Sequence, residues 1–283
     1  MIIDHTVLSL KRRHEYVSED AYHVPKKMRF PFFAAVVNGG SMSVPQSRVA
    51  EFSTCIVQRL VASFEELGSS PDAFVRMFDQ AEQEVEIRFP HQPIGATAAC
   101  VSLTKEGVLN IAHIGDCRLA RYAKDNFDGM DRLTHDHNAD RKEELDRLQP
   151  FVKSGSFQIR LCGEWTPILD FRKRRLHYFE TQRGWSDHSL RSTRAFGHPQ
   201  FRPAVTHEPC VQTQQIDPNE PALYALSSKE GYKIVRKVFH RLQDRRETDV
   251  SLEQAEGLAR EFFAQKPKGP KQDITIIFFK VSP

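Results

Sequence analysis

The sequence predicts one α+β domain spanning residues 1–283, with antiparallel strands at its centre. Three observations carry this. Residues 95–122, GATAACVSLTKEGVLNIAHIGDCRLARY, hold three adjoining apolar stretches broken at Lys105-Glu106-Gly107 and at Gly115-Asp116, the pattern of an antiparallel meander. Two segments before the meander carry apolar residues at helical spacing. Strand-like apolar runs also lie near both ends of the chain, so the termini are expected to join the same sheets.

Each element has its own reason. Residues 2–10 alternate weakly and suit an opening strand, followed by the polar stretch Lys11 to Glu19. The run from Phe30 to Val37 ends at Asn38-Gly39-Gly40, a strand entering a turn. Residues 43–46 have the form of a helix start, with Ser43 as N-cap, Gln46 reaching back to it and Pro45 tolerated in the first turn. Val49, Phe52, Ile56, Leu60 and Phe64 then give one apolar face. Residues 68–71 end that helix and cap the next, whose stripe is Phe74, Met77, Phe78, Ala81 and Val85.

Beyond Tyr122 a polar loop, residues 124–130, precedes a short charged helix at about 139–148. Residues 157–161 and 168–171 resemble short strands, and 179–189 reads as an irregular polar segment. Residues 221–226 suit a strand, and Ile234, Val235, Val238 and Phe239 mark a helix over 231–241. Ser251 and Gln254 form a capping box for the last helix, striped by Leu252, Ala255, Leu258, Ala259 and Phe262. A Pro/Gly/Lys loop, 266–272, leads to the closing strand from Ile274 to Val281.

Composition excludes several classes. A net charge of +3, from 40 basic and 37 acidic residues, gives no reason to expect nucleic acid or a membrane surface as partner. No apolar run reaches the roughly 18 residues of a membrane span, and the N-terminus lacks the order of a secretory signal. Five cysteines without a CxxC pair suit free thiols in a reducing, cytoplasmic setting.

Six blocks, taken in order, resemble the metal-dependent Ser/Thr protein phosphatases of the PPM, or type 2C, family. Ser18-Glu19-Asp20-Ala21 stands where the family has M-E-D or N-Q-D. Residues 32–40, FFAAVVNGG, are similar to F-F-x-V-x-D-G-H-G, and the run Gly95 to Arg118 to the hairpin ending V-G-D-S-R. LTHDH (133–137) resembles L-T-x-D-H, LRSTRAFG (190–197) resembles L-x-[VL]-S-R-A-[LF]-G, and KQDIT (271–275) resembles the closing D-N-[IM]-[ST] strand. The fold this implies is a β-sandwich of two antiparallel sheets flanked by pairs of helices. The activity it implies is hydrolysis of phosphoserine and phosphothreonine by two Mn²⁺ or Mg²⁺ ions that activate a bridging water.

The resemblance fails where that chemistry needs carboxylates. The first family Asp falls at Asn38, or at Val37 if the turn is aligned one residue earlier. The second falls at Lys229 or Glu230, and the third at Gln272, with Asp273 next to it. His198 stands where an Asp often follows the S-R-A block. The family's phosphate-binding Arg falls near Glu15, with Arg12 and Arg13 close by. Glu19, Asp20 and Asp116 survive, and Gly39 keeps the turn. Two dications without their bridging carboxylate repel one another, so no catalytic residue and no cofactor are expected. The sequence reads as a pseudophosphatase that binds a protein or phosphoprotein as scaffold or regulator. The alternative is a divergent phosphatase using Mn or Mg in a rearranged site of Glu19, Asp20, Asp116, Glu230 and Asp273, with Asp20 and Asp116 the first candidates for metal.

Other residues admit two readings. Asp116 is a residual ligand or a turn-capping Asp, and Glu19-Asp20 is a cation site or surface charge. His113, His135 and His137 lack the i,i+4 or Cys-pair spacing of a zinc site and read as ordinary histidines. Cys117 is a reactive thiol or a buried cysteine. Arg172, Arg174 and Arg175 bind phosphate on a partner or form a charged strand edge.

Overall fold

The computed structural model describes residues 1–11, 18–27, 29–41, 44–123, 126, 129–153, 176–180, 184–217, 219–247, 249–265 and 273–283. The strands are β1 (Ile2–Leu10), β2 (Asp20–His23), β3 (Phe32–Gly40), β4 (Gly95–Leu103), β5 (Val108–Ile114), β6 (Arg118–Tyr122), β7 (Met130–Arg132), β8 (Leu176–Glu180), β9 (Gly184–Leu190), β10 (Phe196–Gly197), β11 (Cys210–Gln215), β12 (Ala222–Ser227) and β13 (Ile274–Ser282). The helices are α1 (Gln46–Leu67), α2 (Pro71–Arg88), α3 (Lys142–Lys153), α4 (Lys229–Asp244) and α5 (Leu252–Ala264).

One sheet runs β1-β13-β12-β6-β7 and the other β11-β5-β4-β3-β2, with β10 added to β4. All these pairings are antiparallel. The first and last strands pair over their whole length, Ile2 opposite Ser282.

Side-chain alternation builds the layers. Along β3, Phe32, Ala34 and Val36 face the other sheet, where they meet Tyr224, Leu226, Ile277 and Phe279. Phe33, Ala35 and Val37 face the opposite way, against α1 and α2. β13 does the same: Ile277, Phe279 and Val281 point between the sheets, and Ile276 and Phe278 meet α4 and α5. Strands covered on both faces read as continuous apolar runs, which is why β3 and β13 stand out in the sequence. The stripes of α1 and α2 are buried as expected, and each buried Phe, Leu, Ile or Met contributes about 1.5–3 kcal/mol.

Some details differ from expectation. α1 begins at Gln46 with Pro45 at its N-cap and no capping side chain, and Ser43 lies outside the described residues. α3 begins at Lys142, three residues late, because Asn138 Oδ1 first accepts the Asp140 N–H in a turn. The segment 179–189, expected to be irregular, contains strand instead: β8 pairs antiparallel with β9. β11, CVQTQQ, was not expected, since this half-exposed edge strand is mostly polar. The strands expected at 157–161 and 168–171 lie outside the described residues. Ser70 and Ser251 cap their helices, the latter in a full capping box.

Candidate functional site

Antiparallel pairing sets Asp20 of β2 directly opposite Asn38 of β3, and Thr97 of β4 opposite Asn38 on the other side. The Asn38 amide donates to Asp20 Oδ1 at 2.5 Å. The second oxygen, Asp20 Oδ2, is buried, with the Thr275 and Ser228 hydroxyls close to the carboxyl. Burial lifts this carboxyl to about 6, against the Asn38 amide and the Thr275 and Ser228 hydroxyls, with the negative charge of Asp273 adding to the rise. Asp273, also buried, accepts the Glu19 N–H at 2.5 Å and the Ser18 hydroxyl at 3.2 Å. Gly39 has to be glycine: a Cβ there would lie 2.3 Å from Ser53 Oγ and 2.9 Å from the Glu19 carbonyl.

Asp116 sits in the turn between β5 and β6, made possible by Gly115 at φ +74. Its Oδ1 accepts from the Thr97 hydroxyl at 3.3 Å. Its Oδ2 is 2.7 Å from Nζ of Lys229, the first residue of α4. The ion pair is partly shielded, with side-chain exposures of 30% for Lys229 and 13% for Asp116. Glu230 turns to Lys233 one helical turn on. The ambiguity between Lys229 and Glu230 is thereby resolved: the cation, not the longer carboxylate, meets Asp116. Cys117 is fully buried and its thiol is pushed far up by that burial, so it is inert.

Divalent manganese or magnesium needs several anionic oxygens around it. Here Asn38 contributes a neutral amide that is donating to Asp20, Asp273 is engaged by Glu19 and Ser18, and Asp116 holds an ammonium. The residues present do not fit a pair of divalent cations.

The remaining expected residues scatter. His198 stands apart, its ring over Gly95 and edge-on to Phe201, with burial lowering it to about 4. Arg12, Arg13, Arg172, Arg174, Arg175 and Gln272 lie outside the described residues. Arg118 and Arg132 both bind Asp136, joining the G-D-C-R turn to the L-T-H-D-H block. Arg194 of the L-R-S-T-R-A block is taken by buried Glu144, which also receives Arg147 and the Thr193 hydroxyl.

Two features escape a reading of the sequence. His113, His135, His137 and Cys210 offer ligand atoms that all lie within 4.8 Å of one another. Helical spacing is the wrong test for these histidines, because in an extended segment residues two apart share a face, and Cys210 comes from a distant strand. The second is a basic groove of about 730 Å³ between α4 and α5, lined among others by Lys233, Arg236, Lys237 and Arg241 beside Tyr232 and Phe262. Lys237 and Arg241 lie over the Phe262 ring, and Arg118 over Tyr232.

The sequence profile of the family described as protein phosphatase 2C matches residues 23–238. The chain is 28% identical over 202 residues to a probable protein phosphatase 2C 11 of Arabidopsis thaliana, covering 68% of this chain and 47% of that protein. It therefore spans about half the length of that relative. The fold is similar to that of serine-threonine phosphatase 2C from Toxoplasma gondii, with a TM-score of 0.66 at 17% identity over 98% of this chain and 94% of the other. It is also similar to the catalytic domain of the serine threonine protein phosphatase PstP, solved with 2 manganese ions, with a TM-score of 0.59 at 13% identity over 99% of each chain. No helix among the described residues is long and apolar enough to cross a membrane. With its profile match covering most of the residues and its two-sheet, paired-helix architecture, this chain belongs to the protein phosphatase 2C family.

Proposed function

We propose that this chain is a pseudophosphatase: one phosphatase-like domain over residues 1–283 that binds a protein or phosphoprotein partner without hydrolysing it. The observation that carries this reading is the Lys229–Asp116 pair at 2.7 Å. An ammonium on the surviving carboxylate offsets the charge a dication would offset, and it repels any dication brought close. Asn38 adds no charge, and Asp20, raised to about 6, has a weakened hold on the ionised form. No metal-bound nucleophile is assigned.

The basic groove supports the binding half of the proposal. Arg236, Lys237 and Arg241 offer cations to an acidic or phosphorylated segment, Lys233 being held by Glu230, and Tyr232 and Phe262 offer apolar contact. The test is incubation of the chain with a phosphoserine peptide and its unphosphorylated twin, in Mn²⁺ or Mg²⁺ buffer. The expected result is preferential binding of the phosphorylated form with no phosphate released, and weaker binding by Arg236→Glu/Lys237→Glu. Metal-dependent release of phosphate would overturn the reading and favour a rearranged active site built on Asp20, Asp116 and Asp273.

A further inference from the structure

The four-residue cluster at the C-terminal end of β5, beside the Asp116 turn, is built by three segments. Cys210 of β11 is the cross-strand partner of His113 on β5. His135 and His137 follow β7 in an extended segment, and their rings close over His113. Ring centroids are 4.9 Å apart for His113–His135, 4.7 Å for His113–His137 and 4.9 Å for His135–His137. His113 and His137 are fully buried, yet His113 Nδ1 and His137 Nε2 have no hydrogen-bond partner. Two orphaned ring nitrogens in one buried spot are costly unless something binds them.

The other ring nitrogens are committed. His113 Nε2 lies 3.0 Å from the His135 carbonyl oxygen and 3.3 Å from the same residue's N–H. The shorter contact puts the proton on Nε2, which leaves a lone pair on Nδ1. Histidines that bind metals commonly donate their second N–H to a carbonyl in this way. His137 Nδ1 accepts the Gly115 N–H at 3.1 Å, so its proton sits on Nε2. That nitrogen is a donor, suited to bonding a water or anion held by an ion rather than to ligating the ion itself.

We propose that His113, through Nδ1, His135 and Cys210 ligate a zinc ion, with the His137 Nε2–H directed at the ligand in its fourth position. Imidazole and thiolate are the donors a tetrahedral zinc ion takes, at about 2.0–2.1 Å for nitrogen and about 2.3 Å for sulfur. The four residues offer ligand atoms that lie within 4.8 Å of one another. The thiolate offsets one of the two charges brought by the ion. Nearby Arg132 and Arg194 are already paired with Asp136 and Glu144. The ion ties edge strand β11 and the segment after β7 to β5, and so links the two sheets.

The test uses the full chain, reduced and stripped with a chelator, titrated with zinc against a chromogenic competitor. Cobalt(II) serves as the spectroscopic probe. The account predicts one zinc per chain, a higher melting temperature with zinc, and cobalt bands of a four-coordinate site with a thiolate charge-transfer band. Cys210→Ser abolishes the charge-transfer band, and it and His135→Ala each weaken zinc binding by more than about 100-fold, beyond what losing an indirect partner costs. Both residues are only half-buried, and urea unfolding of each variant checks that the fold survives. Absence of stoichiometric zinc overturns the proposal. So does zinc bound equally well by both variants, or cobalt bound without a sulfur signature.

Discussion

The Asp116 cleft and the His113 cluster lie along the same sheet and invert one another. In the cleft an anion is answered from within the chain, by Lys229 at 2.7 Å from Asp116. In the cluster, ligand atoms gather within 4.8 Å and two buried ring nitrogens have no partner. One region meets its carboxylate with an internal cation, and the other gathers donors whose buried nitrogens have no partner. The difference teaches that a surviving carboxylate cannot be judged as a cation ligand from its presence alone. What each donor is already bonded to decides it.

The comparison can be broken first by converting the cleft. Asn38→Asp with Lys229→Asp replaces an amide and an ammonium by carboxylates around Asp20 and Asp116. Calorimetry should show Mn²⁺ binding tightened on the order of 100-fold or more, because each change adds an attractive charge beside the ion. Unchanged affinity would mean that Lys229 is not what keeps the ion out.

The next effect concerns Asp20. Its folded pKa, about 6, lies above the ordinary 3.8, so the folded state holds the proton longer than the unfolded one. The penalty is absent below about pH 3.8, grows as pH rises, and is complete above about pH 6. Asp20→Asn keeps an oxygen for the Asn38 amide and removes that penalty. It should stabilise the protein by about 2–3 kcal/mol at pH 7.5, since each tenfold difference in proton affinity between the folded and unfolded states is worth about 1.36 kcal/mol. Denaturant melts at pH 7.5 and pH 3.5 check this, and a gain that persists at pH 3.5 would point to a cause other than titration. The smallest effect is Lys229→Met, which should cost about 1 kcal/mol, because the pair is partly exposed. A loss above about 3 kcal/mol would mean that Asp116 is stranded as a buried, uncompensated charge.

Much of the fold was legible because burial leaves a period. The stripes from Val49 to Phe64 and from Phe74 to Val85, and the apolar runs of β3, β4 and β13, all pack as expected. β11 was missed because an edge strand of mostly polar residues leaves no such period. In the site, the loss of carboxylates at Asn38 and Lys229 could be read directly. Whether Lys229 or Glu230 faces Asp116 could not, since a one-residue shift in the start of α4 exchanges them. The three histidines are visible in the sequence, but Cys210 is not, because it joins them only through its pairing with His113.

The central claim is that the cleft carries its own cation, and its most direct test is a calorimetric Mn²⁺ titration of the unmodified chain. The chain is first stripped with chelator and then given one equivalent of zinc, so that the histidine cluster cannot report in place of the cleft. The account predicts no binding heat below millimolar Mn²⁺. Two manganese ions bound in the micromolar range would contradict it, because they would have to displace Lys229 from Asp116.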